Sequence, residues 1–371
     1  MSVERALKKF ILFFKQFDFF LIFLPCLLAA LGLISIFSSS QDDLLLFKKQ
    51  LGFLALGIVL MFLVSFFDVR HLKEFPFLIY LFYFFSILLL LLAHFFGPQI
   101  RGTKTWLSFS FFSLDSSEVA KLGLLFFLAF YFSKKHIEMY NLKNILLSGF
   151  FAAIPAFLVF LQPNAGSAFL LVAVWFGILV MSSISLRHFF ILCLIFALFF
   201  SFFWAKILKP YQKERILTFF FPQKADPLKA AWSKNQAQIA IGSGGLFGKG
   251  IKKGSQVQLG FLPEPKTDFI FAAVCEELGL LAGLLVILSL FFLILKIFLI
   301  GMKSPYNFSK IFCFGFGTLL FAESFIHLGM NLGIFPVVGI SLPFVSYGGS
   351  NLISKFFLLG IVQNIQRSTK F

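Results

Sequence analysis

The chain has 371 residues, of which 59% are hydrophobic, 19% aromatic and only 13% charged; 32 basic against 16 acidic residues leave a formal charge of +16. Soluble domains run at about 45–50% apolar and about 25% charged, so this chain lacks the polar surface to coat a globule in water and has ample apolar surface for lipid. A soluble protein is excluded, and so is nucleic-acid binding as the meaning of the charge, because the basic residues fall in short clusters between apolar runs.

At about 20 apolar residues per span, helices are predicted over residues 19–38, 50–67, 75–96, 119–133, 146–162, 168–182, 188–206, 268–300, 309–333 and 349–366. The expected fold class is an all-α integral membrane protein of about ten transmembrane helices. It divides into a segment 1–18, a polytopic membrane domain 19–366 and a tail 367–371, with a large loop over about 207–267 between the seventh and eighth helices. The run 19–38 is long enough to span and is followed by many more spans, so it is expected to stay in the mature chain instead of being cleaved as a signal peptide. The helices at 146–162 and 168–182 are separated only by Pro163, Asn164, Ala165, Gly166 and Ser167, a turn-forming cluster that makes them a tight hairpin. Cys26, Cys193, Cys275 and Cys313 lie inside apolar runs without paired spacing and read as buried thiols. No internal repeat is found, which weighs against a transporter built from duplicated halves.

Basic residues mark every second loop: Arg5, Lys8, Lys9 and Lys15, then Arg70 and Lys73, then Lys134, Lys135 and Lys143, then Arg187, then Lys303 and Lys310, and at the end Arg367 and Lys370. By the positive-inside rule these loops and both termini are cytoplasmic. The opposite side then holds 39–49, 97–118, 163–167, the long loop and 334–348. A loop near 60 residues crosses largely regardless of its charge, so its many lysines and arginines need another explanation, such as an anionic substrate.

An ionised group at membrane depth costs roughly 2.5–3.5 kcal/mol or more, which makes the intramembrane polar residues informative. Glu118 and Lys121 are three apart at a predicted helix start and share a face. They form either a structural ion pair or a site where Lys121 meets a substrate phosphate and Glu118 orients it. Trp106 is either an interfacial anchor or a stacking platform for a sugar or headgroup. Asn164 sits in a turn and could offer an amide to a substrate hydroxyl. The glycines of Gly242-Ser243-Gly244-Gly245 resemble a phosphate nest, but Lys249 is followed by Gly250 and not by Ser or Thr, so the string is no nucleotide loop. Asp268 enters the eighth predicted helix beside Lys266 and Thr267; it is either an acid complementing the helix dipole or a general base for an acceptor hydroxyl. Glu276 and Glu277 read as helix–helix glue, and Glu323 with His327, four apart, as an interhelical pair too small for a zinc site. The segment 335–350 is irregular and uncharged; Ser346, Gly348 and Gly349 could present backbone N–H groups to an anion.

In this order the motifs resemble the SEDS family, the RodA/FtsW group of bacterial cell-wall glycosyltransferases. The resemblance runs from first helix to last and rests on Gly102-Thr103-Lys104-Thr105-Trp106, Ser117-Glu118-Val119-Ala120-Lys121, Gln162-Pro163, Tyr211-Gln212 with Arg215, Ala240 to Gly245 with Gly248-Lys249-Gly250, Leu262-Pro263-Glu264, Thr267-Asp268-Phe269-Ile270-Phe271, Glu276-Glu277-Leu278-Gly279 and Leu342 to Ser350. The stretch Pro336 to Pro343 and the short termini are more similar to RodA than to FtsW. The resemblance implies polymerisation of lipid II, an undecaprenyl-diphosphate-linked disaccharide peptide, on the external face of the bacterial cytoplasmic membrane. It implies Asp268 as the essential acidic residue, Trp106, Glu118 and Lys121 in one cavity with it, and a class B penicillin-binding protein as partner through its transmembrane helix. Lys104, Lys121, Arg215 and Lys266 are the cations expected for the diphosphate; a divalent cation, Mg or Mn, has no dedicated cage of carboxylates in the sequence. Two departures stand out: Asn164 replaces the family's usual Asp, and Asp115-Ser116 replaces its usual Gln-Pro. The competing readings are a flippase or transporter of lipid-linked precursors, which needs access from both faces, and a scaffold, which leaves the clustered polar residues unexplained.

Overall fold

The computed structural model describes residues 17–40, 44–67, 75–100, 102–108, 113–135, 141–181, 187–188, 190–191, 194, 213 and 232–368. Within them run α1 (Phe20–Ser39), α2 (Leu45–Phe66), α3 (Pro76–Phe96), a two-stranded hairpin of β1 (Trp106–Ser108) and β2 (Ser113–Asp115), α4 (Ser116–Lys134), α5 (Leu142–Leu161) and α6 (Ala165–Met181). They are followed by α7 (Trp232–Ser243), α8 (Ser255–Gln258), α9 (Ile270–Leu278), α10 (Leu280–Lys303), α11 (Asn307–Leu332) and α12 (Gly349–Ser368). Seven of these, α1 to α5, α10 and α11, are long and apolar enough to cross a membrane. Their outer faces carry large exposed side chains such as Phe77, Phe84, Leu284 and Phe291, as expected for surfaces solvated by lipid.

The predicted helices that fall on described residues recur with three corrections. The span predicted over 268–300 is two helices, because Gly279 adopts φ +88 and breaks the run between α9 and α10. The first N–H groups of α10 are satisfied from outside: Leu280 and Leu281 donate to the carbonyls of Gly245 and Leu246. The loop predicted over 207–267 contains α7 and α8, and the loop at 97–118 contains the hairpin, with Trp106 paired to Asp115. The helix predicted over 188–206, Cys193, and the basic residues Arg5 to Lys15, Arg70, Lys73 and Lys370 lie outside the described residues or at their isolated positions.

Packing follows the apolar stripes. α12 lies against α2, α10 against α11 and α1, α3 against α4, α5 against α6, and α4 and α6 against α11. α12 holds Ser354, Lys355, Gln363 and Asn364 in the protein interior. Glycine permits one of the close approaches: a Cβ at Gly360 would stand 2.6 Å from the Met61 carbonyl oxygen of α2. Side-chain hydrogen bonds cross-link the bundle, with Tyr83 donating to the Phe151 carbonyl at 2.6 Å, Trp175 to Ser148 at 3.0 Å and Asn364 to the Ser65 carbonyl at 3.0 Å. At one end of the bundle, Lys296 of α10 pairs with Asp18 at 2.7 Å. The other end gathers the polar motifs.

Candidate active site

Asp268 sits in a tight turn before α9, closed by Thr267 and Phe269 donating to the Glu264 carbonyl. Three consecutive carbonyls of this turn are captured by the rest of the protein. Tyr347 N–H donates to Lys266 at 2.9 Å, the Ser346 hydroxyl to Thr267 at 2.8 Å, and the Asn331 amide to Asp268 at 3.0 Å. Thr267 is buried while Asp268 and Lys266 are half-buried, so the backbone is fixed and the side chains reach a boundary.

The irregular segment between α11 and α12 is the hub of this end. Gly339, at φ +67, faces the Asp268 carboxylate: a Cβ built there would lie 3.5 Å from Oδ2. On its other side, a Cβ at Gly166 of α6 would meet Ile340 at 2.8 Å. Further along, Ser346 also accepts from Leu342 N–H at 2.9 Å, and Gln50 of α2 brackets the segment by donating to the Ser346 carbonyl and accepting from Gly348 N–H. Ser350 then ties the start of α12 to the hairpin, accepting from Asp115 N–H at 3.0 Å and donating to the Ser113 carbonyl at 3.3 Å. Three helices, α4, α6 and α12, begin here, and Ser117 of α4 lies 3.4 Å from Ser167 of α6. Their converging N-termini give this end a positive partial charge.

Below the hub lies a buried four-charge network. Lys121 donates to Glu118 at 2.6 Å and to Glu323 at 3.0 Å; Lys355 donates to the same two carboxylates at 3.1 and 3.0 Å. Asn351 and Ser354 of α12 add hydrogen bonds to Glu118 at 3.2 and 3.1 Å. Two lysines against two glutamates leave the network neutral, which is the condition for keeping ions out of water at this depth. Asp115, the N-cap of α4, accepts from Ser117 N–H and Oγ; burial and the nearby Glu118 push it up to about 6, against the pull of Ser117 and Lys121.

The structure separates the predicted site residues into those that face outward and those already engaged. Trp106 is half-buried in β1, Lys104 is exposed beside it, and its N–H donates to the Gln162 carbonyl. Glu118 and Lys121 are an ion pair, but within the larger network and almost wholly buried. Asn164 caps α6, accepting from Ser167 N–H at 3.1 Å. Ser346 and Gly348, expected to offer groups to an anion, spend them on Thr267, Leu342 and Gln50 and so hold the Asp268 turn; Gly349 packs on Phe53. Glu323 and His327 do not form the expected pair: Glu323 meets the two lysines, and His327 Nδ1 donates to the Ile340 carbonyl at 2.7 Å. Glu276 is loop clamp more than helix glue, accepting from Lys249, Ser255 and the N–H groups of Gln256 and Val257. Glu277 accepts from Ser38 of α1 and from Gln258. Arg215 and Tyr211 lie outside the described residues.

The family profile for the FtsW, RodA and SpoVE cell cycle proteins matches residues 18–371. The chain belongs to the FtsW/RodA/SpoVE family. A relative in the family, the peptidoglycan glycosyltransferase MrdB of Escherichia coli strain K12, is 35% identical over 337 residues, covering 90% of this chain and 89% of its own. A chain of a peptidoglycan synthase complex that coordinates polymerization and crosslinking superposes with a TM-score of 0.81 at 29% identity, over 95% of this chain and 98% of that one. The rod shape-determining protein RodA of Thermus thermophilus superposes with a TM-score of 0.70 at 27% identity, over 96% of this chain and 98% of that one. The membrane-protein fold and the RodA-like leaning of the sequence agree with these matches.

In this FtsW/RodA/SpoVE-family chain, sequence reasoning passed over Gln50, Asn331 and Lys355. Lys355 carried a signal, since a lysine within an apolar helix must be paired or face a wet cavity. Gln50 and Asn331 carried none of that strength, because an amide near a helix end is ordinary. Among the described residues, no three His, Cys, Asp or Glu side chains gather to share a metal ion.

Proposed function

We propose that the chain is a peptidoglycan glycosyltransferase of the RodA type that polymerises lipid II for cell elongation. The observation that carries the reading is Asp268, a half-buried carboxylate whose backbone is pinned through three successive carbonyls beside the converging starts of α4, α6 and α12. In the reaction, the acceptor sugar hydroxyl gives its proton to the Asp268 carboxylate as its oxygen attacks the anomeric carbon of the donor. The carbon–oxygen bond to the diphosphate breaks, and undecaprenyl diphosphate leaves with the bonding pair. No covalent nucleophile is needed, so the anomeric centre inverts. Lys104 and Lys266, with the helix N-termini at this end, suit the charge of the leaving diphosphate; Arg215, the further cation expected from the sequence, lies outside the described residues. Among the described residues no three carboxylate, imidazole or thiol groups gather as a protein cage for Mg or Mn, so such an ion would be held chiefly by the substrate diphosphate.

The pattern of basic loops supports a topology with both termini in the cytoplasm and the Asp268 end on the outer face of the cytoplasmic membrane. The likeness to a synthase complex that couples polymerization to crosslinking supports a transpeptidase partner, a class B penicillin-binding protein held through its transmembrane helix. The test is polymerisation of labelled lipid II by the purified chain, alone and with that partner, against Asp268→Asn. Removal of a positioned base lowers turnover about 10²–10⁴-fold. A variant with near-normal turnover overturns the reading, as does lipid II translocation in liposomes with no polymer from the wild type.

A further inference from the structure

We infer that His327 and Asn331, one turn apart on α11, are positioning residues that fix the Asp268 backbone and the segment its carboxylate faces. The inference rests on Asp268 acting as the base. Asn331 is wholly buried and its amide is fully engaged: Oδ1 accepts from Ala272 N–H at 3.2 Å, and Nδ2 donates to the carbonyls of Asp268 at 3.0 Å and His327 at 2.9 Å. It therefore locks the backbone of the reacting residue to α11 and to the first turn of α9 at once. His327 does the same for the facing segment. A carbonyl only accepts, so its Nδ1 carries the proton donated to Ile340 at 2.7 Å. Ile340 follows Gly339, which stands against the Asp268 carboxylate in a conformation, φ +67, that an L side chain rarely adopts; a Cβ there would touch Oδ2 at 3.5 Å, an ordinary contact.

The His327 ring is wholly buried, and its Nε2 has no hydrogen-bond partner among the described residues. An apolar side chain would fill the position without that orphaned acceptor, so what the imidazole adds is the bond to Ile340. Gly339 has φ +67, a state that glycine enters without steric cost, and the carbonyl of the next residue, Ile340, is tied to α11 by His327. The same edge of α11 carries Glu323 one turn further in, so one rigid helix sets the distance between the neutral charge network and the carboxylate.

The experiment measures kcat and KM for lipid II, with thermal unfolding, in the wild type, His327→Leu, His327→Asn, Asn331→Ala and Gly339→Ala. A displacement near 1 Å costs about 10²-fold, so His327→Leu and Asn331→Ala are expected to lower kcat by about that factor with KM within about twofold. The amide of His327→Asn overlays the donor nitrogen and is expected to restore most of the loss. Gly339→Ala leaves α11 intact and carries the test if an α11 variant fails to assemble; it is expected to lower kcat with KM retained. Near-wild-type kcat in Gly339→Ala and in the folded α11 variants, or equal losses in His327→Leu and His327→Asn, overturns the inference. A wild-type polymerase abolished by Asp268→Asn but indifferent to these changes sinks the inference alone, whereas an inactive wild type sinks the reading of the site with it.

Discussion

Asp115 is held in a place that suits its hydrogen bonds but not its charge. As N-cap it accepts from Ser117, yet burial and Glu118 raise it to about 6 from an ordinary value of 3.8. A folded value above the unfolded one means the native state binds the proton more tightly between those limits, so stability falls as pH rises from about 4 to about 6 and is flat above. Asparagine caps helices as well as aspartate does and cannot ionise. Asp115→Asn is therefore expected to unfold at a higher temperature than the wild type at pH 7.5, with the gap closing toward pH 4 in thermal melts across that range. At this scale the sequence was legible where contacts are local, as at Glu118 and Lys121, one turn apart and paired at 2.6 Å. It was illegible where the partner is remote: Asn331 meets Asp268 across 63 positions, and Gln50 meets Gly348 across 298.

At the scale of elements, hydrophobic runs of span length located the long helices well, because lipid forces every backbone group to be satisfied within the helix. The same rule hides breaks inside a run. The apolar stretch predicted as one helix over 268–300 is divided by Gly279, and the freed N–H groups of α10 are taken up by the carbonyls of Gly245 and Leu246. Glu276 and Glu277, just before the break, then fasten the loop and α1 to α9. A Cβ at Gly279 would stand 2.5 Å from Gly248 N, and φ +88 is itself unfavourable for any side chain. Left-handed strain costs about 1–3 kcal/mol before the clash is added. Gly279→Ala is accordingly expected to lower the melting temperature by several degrees and to open residues 244–254 to limited proteolysis, while the same change at Gly242, where a Cβ meets nothing within 4 Å, leaves both unaltered.

At the scale of the whole molecule, the four buried charges join α4, α11 and α12 where each would otherwise present an ion to an apolar interior. Composition announced the membrane fold but not this joint, since its members lie 202 and 237 positions apart. Their worth is collective. Lys355→Met leaves two carboxylates on one lysine, and an uncompensated buried charge costs about 3–5 kcal/mol. Adding Glu323→Gln restores neutrality, with Glu118 and Lys121 still paired at 2.6 Å, and also neutralises a carboxylate whose Oε2 has no hydrogen-bond partner among the described residues. The double variant is thus expected to be more stable than Lys355→Met alone, the opposite of what two independent losses would give. Thermal unfolding of both single variants and the double in detergent decides this: a double variant whose destabilisation equals the sum of the singles would mean that each ion is solvated separately and that the network is not a unit.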